Sequence, residues 1–495
     1  MKLEVLPAVT LASMIAAREL TSREATEYFL SRIRRLDTNV GAFISVDEEA
    51  ALRRADEVDA RLVAGEFSNS PLAGVPIAIK DILCMTGSAT TCASRMLEDF
   101  RPPYTATAVQ KLLDAGMVPL GKTNLDEFAM GGSTESSALR RTCNPWDPER
   151  TPGGSSGGAA AALSAGLTPL AIGTDTGGSV RQPAAFCGTL GLKPTYGRVS
   201  RYGLIAFASS LDQVGPLAHH VQDLAACLNL IAGHDRLDST SLDVPVPDYA
   251  SELAQPLAGL RVGLIREQID NDSIDAAIRD ATLRCQQTLS GLGAELIDVH
   301  LPHTQYSVPT YYLIAPSEAS GNLERYDGVH YGKRSYGDAG SPSPLEAMIA
   351  RSRSEGFGPE VKRRIMLGTF ALSAGYYDAY YKKALQVRRL IANDYQQAFT
   401  QVDVLLGPVT PTPAFKLGEK SGDPVQMYLE DLFTVGANLA GIPGLSVPAG
   451  CNAQGLPLAV QFQAPALAEA KLLNVAHQLQ QAEFFKPALA PSFAH

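Results

Sequence analysis

Short apolar runs that end in glycine or proline recur along the first half of the chain, and they constrain its fold more than any other feature. Three such runs cover 74–80, 116–121 and 167–173, and helical segments over 107–115 and 158–165 separate them. Strands that alternate with helices in this way are typical of a layered α/β protein whose sheet is largely buried. The sequence therefore predicts an α/β fold.

Further strands are predicted in the second half, before a closing helix over about 467–481. They cover 260–265, 294–299, 402–406, 445–447 and 458–462. The segment 1–65 is helical instead, with a capping-box spacing at Thr21 and Glu24 before one amphipathic helix and a second helix over about 47–63. The segment of about 304–400, rich in tyrosine and arginine, predicts a helical insertion or subdomain over one edge of the sheet.

The composition of the 495-residue chain is that of a large globular protein. Hydrophobic residues make up 45% and charged residues 19%, against about 25% charged residues in an average soluble domain. These values exclude a disordered chain, a collagen-like repeat and a coiled coil. The formal net charge of −10 does not attract phosphate backbones, so direct nucleic-acid binding would need a local basic patch, and no long run of like charge supplies one.

The cysteines and the apolar stretches indicate the compartment. The seven cysteines are an odd number without a Cys-x-x-Cys pair, which argues against a disulfide framework and against a zinc ribbon. The first residues carry Glu4 and Glu19 and lack the continuous apolar region of a signal peptide. No uncharged apolar stretch is long enough to span a membrane. We therefore expect a cytoplasmic protein.

Two loops rich in glycine and serine carry the clearest chemical signal. They cover 152–162, with the sequence PGGSSGGAAAA, and 173–183, with the sequence GTDTGGSVRQP. Glycine lets consecutive backbone N–H groups point into one cavity, because it adopts positive φ angles at little cost. Such a cavity can hold a phosphate or the oxyanion of an acyl-transfer intermediate.

Two familiar sites do not fit these loops. The phosphate-binding loop Gly-x-x-x-x-Gly-Lys-[Ser/Thr] is absent from the sequence, and no lysine stands nearby to reach a phosphate. Residues 153–157 satisfy the Gly-x-Ser-x-Gly pattern of α/β-hydrolases, but Pro152 and the turn residues 144–148 precede them where that pattern requires a strand. None of the eight histidines lies beside either loop, so histidine is a poor candidate for the general base.

Lys80 is the remaining candidate for the base, because it ends the apolar strand over 75–79. Burial disfavours the ammonium form and lowers the pKa of a lysine from about 10.4. A neutral lysine can accept a serine proton, as in the Ser-Lys variants of the catalytic triad.

Lys80, Ser155 and Ser179, within GGSSGG and GTDTGGSVRQPAAFCG, resemble the amidase signature family. Five further segments are similar to its tRNA-linked branch, the glutamine-hydrolysing subunits of tRNA-dependent amidotransferases. They cover 121–135, 191–216, 311–332, 352–384 and 438–450. The resemblance implies that residues 1–495 form a single large domain, with a central mixed β-sheet, helices on both of its faces and a helical insertion.

The resemblance also implies roles for Lys80 and for several residues of the two loops. Ser179 is the acyl-accepting nucleophile, Ser155 is a bridging serine held through a cis peptide bond, and Lys80 is the general base and acid. The backbone N–H groups of Thr176, Gly177, Gly178 and Ser179 form the oxyanion hole. For Ser156 we expect only a role in the structure of its loop and assign it no proton-transfer role.

For the substrate, the resemblance implies free glutamine. Arg364 then faces the α-carboxylate, Asp431 faces the α-ammonium group, and Tyr311 lines the site. Arginine suits the bidentate binding of a carboxylate. From the sequence alone, Arg364 in the run 362–364 would be a solvated helix charge, and Arg363 is the alternative if the register differs by one residue.

The partners are likewise implied by the resemblance. Ammonia passes through a channel to a B subunit, which activates charged tRNA with ATP and Mg²⁺, and a small C subunit completes a heterotrimer. We expect no cofactor or metal in this chain itself, because its sequence has no nucleotide or metal motif. Two alternatives remain open at this stage: a stand-alone amidase that acts on another small amide, and a catalytically inactive scaffold.

Overall fold

The computed structural model describes residues 2–336 and 343–494. Eleven strands of the described chain form one mixed sheet, in the spatial order β1-β3-β2-β4-β6-β5-β10-β11-β9-β7-β8. The strands are β1 Phe43–Val46, β2 Pro76–Lys80, β3 Val118–Thr123, β4 Leu170–Asp175, β5 Leu190–Lys193, β6 Gln213–Ala218, β7 Arg261–Ile265, β8 Glu295–Val299, β9 Val404–Pro408, β10 Gly444–Cys451 and β11 Pro457–Gln463. Parallel pairs join β2 to β3 and β4, and β7 to β8 and β9.

Helices flank this sheet. In chain order they are α1 Ala8–Ala16, α2 Ser22–Val40, α3 Glu48–Val63, α4 Thr107–Asp114, α5 Gly157–Ser164, α6 Arg181–Cys187, α7 Val221–Ile231, α8 Arg266–Ile269, α9 Ala276–Gly291, α10 Ser307–Asn322, α11 Pro344–Gly356, α12 Pro359–Leu372, α13 Lys383–Ala398, α14 Pro424–Tyr428, α15 Val435–Ala440 and α16 Glu469–Gln481. In the described chain, none of the helices is both long and apolar enough to cross a membrane.

The sequence patterns place most of these elements correctly. The predicted capping box is present at the start of α2, and Asp47 caps α3. The predicted helical segment of about 304–400 contains α10 to α13, although its residues 337–342 lie outside the described residues. Strands β1, β5 and β6 were not predicted. They are short or interrupted by proline and glycine, as at Gly215 and Pro216 in β6, and only pairing with neighbouring strands stabilises them.

The parallel pair β2 and β4 positions the two loops identified in the sequence. Ile79 of β2 is paired with Ile172 of the parallel strand β4, so the carboxyl ends of both strands lie at the same end of the sheet. Lys80 ends β2 there, and the loop after β4 begins there. In parallel sheets, functional residues commonly lie at the carboxyl ends of the strands.

Helix α5 brings the other loop to the same edge. Every residue of α5 is buried, and its sequence GGAAAALS is composed almost wholly of small residues. A Cβ atom on Gly158 would lie 2.5 Å from the carbonyl oxygen of Asn124 and 2.6 Å from that of Ala42. The helix can therefore approach the sheet closely only because glycine stands at this position.

Candidate active site

Lys80 is wholly buried, and its Nζ lies among hydroxyl groups. It is 2.8 Å from Ser155 Oγ, 2.8 Å from Ser156 Oγ and 2.8 Å from Thr174 Oγ1. The Thr174 carbonyl oxygen lies farther away, at 3.4 Å. Lys80 and Ser155, which the sequence analysis assigned to one site, are thus in direct contact.

Burial lowers the pKa of Lys80 from its usual value to about 7. The carboxylates of Asp126, Asp175 and Asp212 oppose this change because they favour the ammonium form. In the described structure no carboxylate forms an ion pair with Lys80, so burial dominates. A substantial fraction of Lys80 is therefore neutral near pH 7 and able to accept a proton.

The hydrogen bonds around Ser156 distinguish it from Ser155. The Ser156 hydroxyl donates to the carbonyl oxygen of Thr174 at 3.1 Å and accepts from the Thr174 N–H at 3.2 Å. Because a hydroxyl has one proton, Ser156 has none left to transfer to Lys80. Ser155 Oγ has no such competing acceptor among the described residues, so Ser155 is the serine that can donate to a neutral Lys80.

The loop that carries Ser155 is held from both sides. Gln182 accepts a hydrogen bond from the Gly154 N–H at 2.8 Å and donates to the Gly132 carbonyl at 2.8 Å. The Gly154–Ser155 peptide bond is cis. A Cβ atom on Gly154 would lie 1.9 Å from Asp126 Oδ2, so only glycine fits there. This loop is consequently packed too tightly to accommodate larger residues.

The loop that carries Ser179 is built on a buried ion pair. Arg181 Nε and Nη2 donate to the two oxygens of Asp175, each at 3.0 Å. Asn438 donates to Asp175 Oδ1 at 2.9 Å. Although burial opposes ionisation, Arg181 together with these hydrogen bonds holds the pKa of Asp175 below its usual range. The ionised Asp175 can thus organise the amides of the turn around it.

Ser179 lies at the accessible side of this turn and is 8% exposed. Its carbonyl oxygen accepts a hydrogen bond from the Ser156 N–H at 3.1 Å, which joins the two loops directly. Within the described chain the Ser179 hydroxyl makes no hydrogen bond. The structure therefore brings Lys80, Ser155 and Ser179 to one edge of the sheet and leaves the Ser179 hydroxyl free.

The turn differs in one respect from the predicted oxyanion hole. The Gly178 N–H donates to Asp175 Oδ1 at 2.9 Å and is engaged within the turn, whereas the resemblance implied that it faces an oxyanion. An N–H that is already bonded within the turn cannot serve a second acceptor well. The amides of Thr176, Gly177 and Ser179 have no partner in the described residues and remain candidates.

Tyr311 connects this turn to the predicted substrate site. A Cβ atom on Gly177 would lie 2.7 Å from the Tyr311 hydroxyl oxygen, so the ring covers the turn at van der Waals distance. Tyr311 also packs edge-to-face against Tyr312, with ring centroids 5.0 Å apart. From the other side, Thr434 donates to the Gly177 carbonyl at 2.6 Å and lies three residues after Asp431.

The two arginines of the run 362–364 occupy different environments. Arg364 is buried, with 3% of its surface exposed, whereas the Arg363 side chain is 43% exposed. The Arg364 guanidinium lies 5.2 Å from the ring centroid of Tyr312 and 5.6 Å from that of Phe207. The structure thus places Arg364, and not Arg363, beside the tyrosines that adjoin the turn.

Asp431 lies next to the same rings. Tyr312 donates to Asp431 Oδ2 at 2.8 Å. Burial raises the pKa of Asp431 to about 7, although this hydrogen bond and the charge of Arg364 act in the opposite direction. Asp431 Oδ1 has no partner in the described part of the chain. A carboxylate and a guanidinium, each with atoms left free, therefore contact the same tyrosine, whose neighbour Tyr311 covers the turn before Ser179.

A cleft of about 820 Å³ lies beside these groups, although neither Arg364 nor Asp431 is among its lining residues. Its walls come from the segment 130–138, from α11 and α12, and from the segment 420–428. Several of its residues contact the site directly: Asp126, Gly132, Glu360 and Tyr428. The cleft therefore adjoins the residues that surround the site, whereas Lys80, Ser155 and Ser179 are not among its walls.

Sequence reasoning missed four residues around the site. They are Thr174, Tyr312, Glu360 and Tyr428. Thr174 lies within the segment 173–183, which the sequence had already identified as part of the site, so its involvement could have been predicted. The other three are widely separated in sequence from the two loops, and no local pattern indicates that they meet.

Comparisons with known proteins agree with this geometry. The profile of the amidase family matches residues 24–473. The chain is 55% identical over 480 residues to the A subunit of glutamyl-tRNA(Gln) amidotransferase from Rhodopirellula baltica, covering 96% of each chain. It is 57% identical over 464 residues to the protein of the same name from Prochlorococcus marinus strain MIT 9313, covering 94% of each.

Solved structures give the same result. In a crystal structure, the A subunit of glutamyl-tRNA(Gln) amidotransferase from Thermotoga maritima is 41% identical with a TM-score of 0.78, covering 94% of this chain and 95% of that one. A peptide amidase in complex with chymostatin is 32% identical with a TM-score of 0.82, covering 98% and 99%. With this sheet, these serine loops and these relatives, the chain belongs to the amidase family.

Proposed function

We propose that this chain hydrolyses glutamine as the A subunit of a tRNA-dependent amidotransferase. One observation carries the proposal: Arg364 and Asp431 both contact Tyr312, whose neighbour Tyr311 covers the turn before Ser179, and both have polar atoms left free. An α-amino acid has an α-carboxylate and an α-ammonium group that are complementary to such a pair. High identity to amidotransferase A subunits over nearly the full chain favours glutamine among the amino acid amides.

The proposed reaction begins with glutamine bound between these two groups. Its side-chain amide reaches Ser179, whose hydroxyl proton passes through Ser155 to neutral Lys80 as the Ser179 oxygen attacks the amide carbon. The amides of Thr176, Gly177 and Ser179 stabilise the oxyanion. Lys80 returns the proton through Ser155 to the leaving nitrogen, and ammonia departs. Water then hydrolyses the γ-glutamyl ester on Ser179 and releases glutamate.

Ammonia is the product that the complex uses. We propose that it passes to a B subunit, which activates Glu-tRNA(Gln) or Asp-tRNA(Asn) with ATP and Mg²⁺, and that a C subunit completes a cytoplasmic heterotrimer. The net charge of −10 supports a division of labour in which the partner holds most of the tRNA. The relatives are each named as one subunit of an amidotransferase, which supports the existence of such partners.

The Ser179→Ala variant tests the proposal. We expect the assembled enzyme to lose glutamine-dependent amidation and to keep amidation with added ammonia, because only the source of ammonia depends on Ser179. Ser421→Ala, an exposed serine at the cleft, is the matched control and should retain both activities. Amidation by Ser179→Ala with glutamine would exclude this nucleophile. Equal glutamine turnover with and without partner subunits would favour a stand-alone amidase.

A further inference from the structure

The guanidinium of Arg364 is enclosed by aromatic rings on several sides. Phe207, Tyr312 and Tyr428 have ring centroids 5.6, 5.2 and 5.4 Å from its central carbon. Tyr312 and Tyr428 stack on each other with centroids 3.8 Å apart and an interplanar angle of 20°. Rings hold a cation by weak, diffuse attraction, so they do not by themselves fix its rotation.

Glu360 makes a directional contact with the Arg364 guanidinium. Its Oε1 accepts a hydrogen bond from Arg364 Nε at 2.8 Å and a second from the Tyr428 hydroxyl at 2.9 Å. Its Oε2 pairs with the exposed Arg363. Both carboxylate oxygens are thus engaged, and Glu360 sits one helical turn before Arg364 on α12. This spacing places the two side chains on the same helix face.

The bond at Nε determines which edge of Arg364 remains available. A guanidinium can bind a carboxylate through Nε and one Nη, or through its two Nη groups. Glu360 occupies the first edge. Among the described residues, neither Nη of Arg364 has a hydrogen-bond partner, and neither is sealed from solvent. The incoming carboxylate therefore meets the end of the guanidinium that bears both Nη groups.

We propose that Glu360, supported by Tyr428, is a positioning residue that orients Arg364 for the substrate α-carboxylate. The proposal rests on the proposed function, because it takes the ligand of Arg364 to be the carboxylate of glutamine. Glu360 itself touches no reacting atom. Without it, the guanidinium is free to rotate between the rings, and its two Nη groups lose their fixed direction.

Glutamine binding in a Ser179→Ala background tests the proposal without turnover. In the full chain with its co-purified partners, calorimetry should show a Kd for glutamine roughly 10- to 100-fold higher after Glu360→Gln, the range for a hydrogen bond to a charged group. Tyr428→Phe should raise the Kd by about 2- to 10-fold, because only the support of Glu360 is lost. Glu355→Gln, at an exposed carboxylate of α11 that pairs with Arg351, is the matched control and should leave the Kd within about twofold.

Kinetics in the background of the native Ser179 separate positioning from general damage. Glu360→Gln should raise KM for glutamine by the same factor and keep kcat and ammonia-dependent amidation within about twofold. A lower kcat with an unchanged KM, or an unchanged Kd, would overturn the role of Glu360. Failure of the Ser179→Ala protein with native Glu360 to bind glutamine would instead overturn the proposed function.

Discussion

The Lys80 site and the Arg364 site differ in the parts of the fold that hold them. Lys80 ends a central strand, and its serine partners come from two loops anchored by a buried ion pair and by Gln182. Arg364 and Glu360 come from one helix, whereas Asp431 follows a short helix, and of these three only Glu360 lines the solvent-open cleft. The first site is built into the sheet, and the second is carried by helices beside it.

We expect this structural difference to match a difference in function: the Lys80 site carries out the chemical step, and the Arg364 site selects the substrate. At the carboxyl ends of these strands, hydroxyl groups surround Lys80, so small changes of geometry there alter the proton relay. At the cleft, charged and aromatic side chains decide which molecule is bound, and they can change without disturbing the strands. We therefore expect variants of the first site to lower kcat and variants of the second to raise KM.

The largest effect is expected for Lys80→Met. Loss of the general base should lower kcat by about 10²- to 10⁴-fold, while methionine fills the buried space of a neutral lysine. Lys122→Met is the contrasting variant, because Lys122 forms a buried ion pair with Asp81 at 2.8 Å. It should cost about 3–5 kcal/mol in the free energy of unfolding. A Lys80→Met enzyme with near-normal kcat would remove Lys80 from the mechanism.

The pH dependence of kcat/KM tests both sites together. Lys80 must be neutral and Asp431 ionised, and the pKa of each is about 7, so acid inactivates both groups. At pH 6 we expect kcat/KM to fall roughly 100-fold below its plateau, because each group contributes about tenfold. Asp431→Asn should reduce this fall to about tenfold. A loss that stayed near 100-fold in Asp431→Asn would show that another group titrates.

Arg364→Gln is expected to act on binding. Removing the charge should raise KM for glutamine roughly 10- to 100-fold and leave kcat nearly unchanged. The neighbouring Arg363→Gln should have little effect, since that side chain is 43% exposed. Initial-rate measurements of KM for glutamine in the two variants compare the buried arginine with its exposed neighbour on the same helix. Equal effects would mean that burial does not distinguish the two arginines.

The smallest effect is expected for Ser156→Ala. Ser156 contacts Lys80, but its proton is donated to Thr174, so it positions the lysine without taking part in the relay. We expect kcat to fall about 2- to 10-fold. In Ser155→Ala, kcat should fall at least tenfold further than in Ser156→Ala, because this substitution interrupts the proton relay. Equal losses in the two variants would contradict the distinction between the adjacent serines.

Much of the Lys80 site could be predicted because its signals are local. An apolar strand that ends in lysine, and two glycine-serine loops, are visible within short segments of sequence. The detailed hydrogen bonds were not visible, since the engagement of the Gly178 amide by Asp175 and of Ser156 by Thr174 depends on side-chain direction. Strands β1, β5 and β6 also escaped prediction, because pairing compensates for their poor local propensity.

The alternation of strands and helices, the two loops and, through resemblance, the family can all be read from the sequence. Each of these depends on residues close together in the chain. By contrast, the burial of Arg364 rather than Arg363, and its contacts with Glu360 and Tyr428, follow from the packing of distant segments. The reason is physical: an arginine in a charged run is solvated in a lone helix, and only packing against Phe207 and the tyrosines removes it from water.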